Sequence, residues 1–195
     1  HSRHLLHRDI SPRNIRCTTS GQAKLIDFGA MAPMSARSAE IVGTPAFIAP
    51  ETVQRLAVDA RTDLFSLGVT LYHALTGRLP FAAHTFGELL EAWRVKPVTP
   101  STHVSGIPAA LDDLVMALIS VESALRPSTA YDVMQQLAAC AGLRIEESDA
   151  VSSAYLSTPT LVGRDAELAT FRARLRESRS RTGLKRGASR WISRR

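Results

Sequence analysis

The sequence predicts a mainly helical domain with a small β-hairpin near its start. Four segments between residues 62 and 140 show helical spacing or helix-end signals, and two strand-forming runs flank a turn-rich segment at 18–21. With 195 residues and 45% hydrophobic content, the chain can bury one core. Its two cysteines exclude a disulfide scaffold and favour a reducing compartment, so we expect a cytoplasmic protein.

The first elements in the chain are the hairpin and a long loop. Residues 15–17 and 23–26 are the predicted strands, and Cys17 is expected in the core. Residues 30–50 lack a sustained period and contain three prolines, so they predict a loop. A loop of this length in a small domain is usually functional or mobile.

The helices follow the loop. A largely buried helix is predicted at 62–76, ended by Gly77, because glycine suits the left-handed conformation after a helix. Proline fits the start of a helix, and a Thr-x-x-Asp sequence forms a capping box. On these grounds the further helices are 86–95, 108–120 after Pro108, and 129–140 with its capping box, and residues 97–108 are a connector.

The charge of the chain is unevenly distributed. The formal net charge is +6, but residues 172–195 hold ten basic residues and one acidic residue, so the rest of the chain carries −3. A basic tail of this kind is usually solvated, and we do not expect nucleic acid as a partner. The longest apolar run, residues 64–75, is too short to span a bilayer, so no membrane span is expected.

Two motifs around the predicted hairpin carry the chemistry. Residues 7–14 read His-Arg-Asp-Ile-Ser-Pro-Arg-Asn, and residues 27–29 read Asp-Phe-Gly. Together and in this order they resemble the C-terminal lobe of bacterial-type serine/threonine protein kinases. The resemblance implies transfer of the ATP γ-phosphoryl group to Ser or Thr hydroxyls of proteins. It makes Asp9 the catalytic base and Asn14 and Asp27 the Mg²⁺ ligands.

The resemblance extends over residues 43–51, which are similar to the end of a kinase activation segment, and over the later helices. It implies that Thr44 contacts Asp9 and forms the floor for the residue after the phosphoacceptor. It also implies that Asp63 accepts hydrogen bonds from the His7–Arg8 backbone. The remaining structural residues implied by the family are His7, Phe28 and Gly29 beside the site and the ion pair of Glu51 with Arg126.

Three departures from the family pattern leave an alternative open. There is no glycine-rich phosphate loop or strand lysine before residue 7, so we expect a fragment that is truncated before the N-terminal lobe and inactive alone. Ser11 stands where most members have a lysine. Arg16 faces the expected adenine site, where it could stack on the base or block it. The alternative is a pseudokinase-like regulatory or binding module.

Regulation and further domains are also predicted. Arg8 would pair with a phosphate on Ser35 or Ser38 and thereby order the activation loop. Residues 158–168 resemble the entry segment of AAA and signal-transduction ATPase modules, although no P-loop follows. The predicted domains are a kinase lobe at 1–142, a linker at 143–160, an ATPase-like stub at 161–177 and a basic tail, expected to be disordered, at 178–195.

Overall fold

The computed structural model describes residues 1, 4–34, 41–83 and 85–143, all within one unit of the chain, His1–Ile145. The predicted linker beyond Leu143, the ATPase-like stub and the basic tail lie outside the described residues, as do Ser35 and Ser38. Within the described part of the chain, no helix has the length and apolar character needed to cross a membrane.

The domain is helix-rich and has two small antiparallel sheets, of which the sequence predicts the one formed by the hairpin. Short 3₁₀ turns at Pro12–Asn14, Pro45–Phe47 and Ser123–Leu125 connect the main elements. The strands are β1 Leu5–Leu6, β2 Ile15–Cys17, β3 Ala23–Leu25 and β4 Ala32–Pro33. The helices are α1 Pro50–Val53, α2 Ala60–Thr76, α3 Phe86–Ala92, α4 Pro100–His103, α5 Ala109–Leu118 and α6 Ala130–Cys140.

Helix α2 is the centre of the core. It begins two residues earlier than predicted, because the Asp59 side chain caps its first turn by accepting a hydrogen bond from Arg61 N. It ends at Gly77, which has a φ of 68° and donates its N–H to His73 O. Phe65 and Val69 on this helix are fully buried, so α2 is the surface against which the other elements pack.

Helices α5 and α6 complete the core on one side of α2. Leu64 from α2, Leu114 and Leu118 from α5, and Val133 from α6 form one buried cluster. The predicted capping box is present at the start of α6, where Thr129 and Asp132 exchange side-chain and backbone hydrogen bonds. The structure therefore confirms the predicted positions of these helices to within two residues.

The two sheets lie at the end of the domain that carries the motifs. In the predicted hairpin, Ile15 pairs with Leu25 and Cys17 with Ala23. The prediction that Cys17 is buried is wrong, since in the described structure it is exposed on a hairpin with three-residue strands. The second sheet, β1 with β4, was not predicted because two-residue strands leave no periodic signal in a sequence.

Candidate active site

Residues 7–14, called the catalytic loop after the family that the motifs resemble, hold Asp9 and Asn14 against each other. The 3₁₀ turn Pro12–Asn14 folds the chain back, and the Asn14 Nδ2 atom donates to both Asp9 O and Asp9 Oδ2 at 2.8 Å. Both of these atoms can only accept, so the amide nitrogen must point toward Asp9. The amide oxygen of Asn14 is therefore directed away from Asp9.

The activation segment holds the other carboxylate oxygen of Asp9. Asp9 Oδ1 accepts from Thr44 N at 3.0 Å and from Thr44 Oγ1 at 3.1 Å. This approach requires glycine at position 43, which has a φ of 120° and where an added Cβ would lie 2.8 Å from Arg8 O. Gly43 is absent from the predicted site residues, although a glycine directly before Thr44 is a signal that could have found it.

A buried carboxylate anchors the start of the catalytic loop to helix α2. Asp63 is 1% exposed and accepts from His7 N and Arg8 N, both at 2.8 Å. The His1 Nε2 atom lies 2.8 Å from the same carboxylate. Burial raises the pKa of Asp63 above its ordinary value, and the two backbone hydrogen bonds oppose this rise. Arg8 has a φ of 67°, so these bonds hold a strained backbone turn.

The hairpin brings the second motif next to the catalytic loop. Ile26 N donates to Asn14 O at 2.8 Å, so the next residue, Asp27, lies beside the Asn14 turn. Asp27 has a φ of 61°, is exposed, and accepts from Gly29 N at 3.2 Å. This arrangement places one carboxylate and one amide oxygen on adjoining segments. Oxygen atoms of these types are the ligands that Mg²⁺ prefers.

The aromatic residues of the two motifs pack together. The His7 and Phe28 rings meet edge-on, with centroids 5.3 Å apart. His7 is 6% exposed, and neither of its ring nitrogens has a hydrogen-bond partner among the described residues, so its surroundings suit packing. Phe28 remains 58% exposed. This ring contact therefore connects the two motifs, since His7 belongs to the first and Phe28 to the second.

Glu51 and Arg126 form a bidentate ion pair under the activation segment. The guanidinium Nη1 and Nη2 atoms donate to the two Glu51 oxygens at 2.7 and 2.9 Å. The remaining three donors bind backbone carbonyls, so all five N–H groups are used. These acceptors are Ser120 O at 2.8 Å, Arg61 O at 3.0 Å and Val121 O at 3.2 Å.

The other predicted site residues are placed differently. Ser11 is fully buried and its hydroxyl has no partner among the described residues, so it faces the interior of the loop. Arg16 is exposed, and its Nη1 atom donates to Arg13 O at 3.1 Å. The predicted pairing of Arg8 with a phosphorylated loop involves Ser35 and Ser38, which lie outside the described residues.

Comparison with known families identifies the family of this chain. The family model "Protein kinase domain" matches residues 1–138, which is more than half of the chain. The chain therefore belongs to the protein kinase domain family. Two bacterial relatives indicate the class of kinase that the sequence resembles, because both carry the name serine/threonine-protein kinase. The prediction of a bacterial-type serine/threonine kinase sequence is thus confirmed at the level of the family.

Two of these relatives are bacterial proteins. PknB of Mycobacterium tuberculosis is 31% identical over 144 residues, covering 70% of this chain and 23% of the relative. The kinase pkn2 of Myxococcus xanthus is 33% identical over 162 residues, covering 71% of this chain and 18% of the relative. The chain thus spans less than a quarter of the length of these relatives.

A solved structure supports the same fold. The kinase PK-1 of the Cydia pomonella granulovirus superposes with a TM-score of 0.62 and 18% identity. The match covers 70% of this chain and 51% of that chain. The kinase-like fold predicted from the two motifs is therefore confirmed.

Proposed function

We propose that the chain is the catalytic-loop part of a serine/threonine protein kinase that transfers the ATP γ-phosphoryl group to protein hydroxyls. The observation that carries the proposal is the double restraint on Asp9, whose two carboxylate oxygens are held by Asn14 and Thr44. A carboxylate with this fixed orientation can receive the proton of a substrate hydroxyl. This suits phosphoryl transfer, which depends mainly on positioning and charge stabilisation.

The proposed step uses Asp9 as the base. The substrate oxygen attacks the γ-phosphorus, the bond from that phosphorus to the ADP oxygen breaks, and Asp9 receives the hydroxyl proton. Thr44 keeps one oxygen of Asp9 engaged through two hydrogen bonds, so the carboxylate cannot turn away from the substrate. We propose that the residue after the phosphoacceptor lies against the Thr44 side.

The donor chemistry fits Mg²⁺ with ATP. Asn14 presents its amide oxygen and Asp27 its exposed carboxylate on segments joined by the Ile26–Asn14 hydrogen bond. When bound, Mg²⁺ supplies positive charge to the phosphate oxygens. Within the described ranges there is no group of three or more His, Cys, Asp or Glu residues that could hold a metal alone. Two protein ligands suit a cation that shares its coordination with nucleotide and water.

We further propose that residues 1–142 correspond to the C-terminal lobe of the kinase and that ATP binds in the complete two-lobed domain. The ion pair of Glu51 with Arg126 and the anchor of Asp63 on the catalytic loop support this assignment, because the resemblance to the C-terminal lobe implies both contacts. The ATPase-like module at 161–177 remains a proposal from the sequence resemblance.

A second candidate function is a non-catalytic, kinase-like binding module. It is favoured by Ser11, because a neutral hydroxyl cannot supply the positive charge of the family's lysine and this one is buried. Exposed Arg16 on the hairpin also favours it, because a cation there could interfere with the base of ATP.

Phosphate transfer by a longer chain separates the two candidates. The protein is produced together with the reading frame encoded immediately upstream, and transfer from labelled ATP to casein is measured with and without Mg²⁺. We expect Mg²⁺-dependent transfer that Asp9→Asn lowers by at least about a hundredfold, as expected for loss of a general base. Asp113→Asn, at an exposed carboxylate of α5, is the matched control and should leave transfer unchanged. Transfer that is absent, or unaffected by Asp9→Asn, would favour the binding module.

A further inference from the structure

The ends of helices α3 and α5 lie beside a cavity of about 500 Å³, which we call the α3–α5 cavity. It is lined by the continuous segment 93–97, by Phe81 and by residues within 116–125. Cavities that hold small molecules have volumes of about 300–1,000 Å³. None of these described lining residues belongs to the two motifs or to segment 43–51, so the α3–α5 cavity is separate from the candidate active site.

Outside the segment 93–97, the lining of the cavity is largely apolar. Phe81 and Ile119 are buried and belong to the same core cluster as Phe65 of α2. Val121 and Leu125 also line the cavity, but they are 36% and 65% exposed. An apolar cavity with exposed apolar residues beside it is typical of a binding site. The α3–α5 cavity therefore suits a ligand with a large apolar part.

The charged residues of the lining are all positive and all lie on the segment 93–97. They are Arg94 and Lys96, which are both exposed, and no Asp or Glu is among the described residues that line the cavity. Arg94 pairs with Glu91 at 3.2 Å, whereas Lys96 has no ion-pair partner in the described part of the chain. The buried Nε1 atom of Trp93 likewise has no hydrogen-bond partner among the described residues, although buried donors are normally hydrogen-bonded. This segment therefore suits an anionic group.

Hydrogen bonds hold both ends of the segment 93–97 in place. Trp93 N donates to Leu89 O of helix α3 at 3.0 Å. At the other end, the Tyr72 hydroxyl of helix α2 donates to Val98 O at 3.0 Å. The cavity is therefore formed without a ligand, and a preformed site costs less ordering of the protein when a ligand binds.

We propose that the α3–α5 cavity binds an aliphatic carboxylate. The alkyl chain lies against Phe81, Ile119 and Leu125, and the carboxylate lies at the segment 93–97. Burial of the alkyl chain supplies most of the affinity, because the hydrophobic effect grows with the apolar area removed from water. A charge-assisted hydrogen bond from the Lys96 ammonium group orients the carboxylate. The proposal does not depend on phosphoryl transfer.

Calorimetric titration of the 195-residue chain with decanoate tests the proposal. We expect saturable binding at one site. Acetate has the same charge without the alkyl chain, and decanol has the chain without the charge, so both should bind at least about tenfold more weakly than decanoate. Fluorescence gives a second measurement, because Trp93 and Trp191 are the two tryptophans of the chain. In a Trp191→Phe protein, decanoate should change the emission of Trp93 with the same Kd.

Two pairs of matched substitutions locate the binding site. Leu125→Ser and Leu143→Ser replace leucines that are 65% and 68% exposed, of which only Leu125 lines the cavity. Lys96→Glu and Lys24→Glu reverse the charge of exposed lysines, of which only Lys96 lines the cavity. We expect Leu125→Ser and Lys96→Glu each to weaken decanoate binding by at least about fivefold. Leu143→Ser and Lys24→Glu should leave the Kd unchanged, and urea denaturation shows that each variant is folded.

Three outcomes would overturn the proposal. The first is the absence of saturable decanoate binding. The second is an equal effect of the two substitutions in each pair, which would place the binding outside the cavity. The third is binding of acetate as tight as that of decanoate, which would show attraction to the basic residues at 172–195 only. None of these titrations measures phosphate transfer, so their failure leaves the proposed function standing.

Discussion

Arg126 and Asp63 are buried charged residues with different numbers of partners. Arg126 is 3% exposed and uses all five of its donors, and its guanidinium carbon lies 4.8 Å from the centre of the Phe65 ring. Asp63 is 1% exposed, and its carboxylate accepts hydrogen bonds from two backbone N–H groups. The His1 Nε2 atom lies 2.8 Å from the same carboxylate. Burial of a charge is costly unless it is paired and hydrogen-bonded, so each of these partners is needed.

Removal of Arg126 should therefore destabilise the domain strongly. Arg126→Ala leaves the buried Glu51 carboxylate without its cation, and we expect unfolding free energy to fall by about 3–5 kcal/mol. Urea denaturation followed by circular dichroism measures the loss. The control is Arg94→Ala, which breaks an exposed pair with Glu91 at 3.2 Å and should cost less than about 1 kcal/mol. Similar losses in the two variants would contradict the structural role of Arg126.

The carboxyl of Asp63 should make stability depend on pH. Burial raises its pKa above the ordinary value of 3.8, so the folded state keeps this proton to a higher pH than the unfolded state. The free energy of unfolding therefore falls as the pH rises from 3.8 through the raised pKa of Asp63. Asp63→Asn has no titrating group at this position, so its stability should not show this fall. Denaturation of both proteins from about pH 4 to about pH 7 should show the wild type losing stability relative to Asp63→Asn. A relative gain over this range would contradict the prediction.

At the scale of elements, the contact between α2 and α5 depends on one glycine. A Cβ at Gly68 would lie 2.5 Å from Leu118 Cβ and 2.9 Å from Ile119 Cγ2. Distances this short cannot be accommodated without moving one helix. The absence of a side chain at position 68 therefore sets how closely the two helices approach.

Alanine at two helical glycines should have different effects on stability. Gly68→Ala overpacks the α2–α5 contact, and we expect a loss of about 1–3 kcal/mol in unfolding free energy. Gly87→Ala, in α3, is the matched control, because among the described residues its Cβ would meet only Thr85 Oγ1 at 4.0 Å. That variant should be neutral or more stable by up to about 1 kcal/mol, since alanine favours helix more than glycine does. Thermal denaturation measures both, and equal midpoints would refute the packing argument.

The elements that the sequence predicts well have strong local signals. Helix α2 ends at Gly77, and helix α6 begins at the Thr129 capping box. Both helix ends are found where the sequence predicts them. Helix α4 was missed within the predicted connector, because four residues among prolines give no helical period. Strand β4 was missed because it exists only through pairing with β1, which is distant in the sequence.

In the candidate site, too, some features have local sequence signals and others depend on distant contacts. The residue types at Asp9, Asn14 and Asp27 could be predicted from two short motifs. The three carbonyls around Arg126 and the close approach at Gly43 could not, since they depend on how distant segments pack. Cys17 shows the opposite error, because an apolar residue in a strand pattern was assigned to a core that the short hairpin does not form.

At the scale of the whole molecule, three tethers join segments far apart in the chain into one site. Asp63 ties α2 to the catalytic loop, Thr44 ties the activation segment to Asp9, and Glu51 ties that segment to Arg126. Two of the tethers are buried and stabilise the fold. The contact of Thr44 is the one that reaches the proposed base directly, so its loss should affect catalysis more than stability.

Substitution of Thr44 tests that distinction. Thr44→Val keeps the shape of the side chain and the backbone hydrogen bond to Asp9 at 3.0 Å but removes the hydroxyl bond at 3.1 Å. In the longer chain we expect kcat to fall about tenfold, because Asp9 is less well oriented, while KM for ATP and the urea midpoint change little. Thr44→Ser retains the hydroxyl and should restore most of kcat. If the valine variant kept its full kcat, or lost activity together with stability, the hydroxyl would not be what orients Asp9.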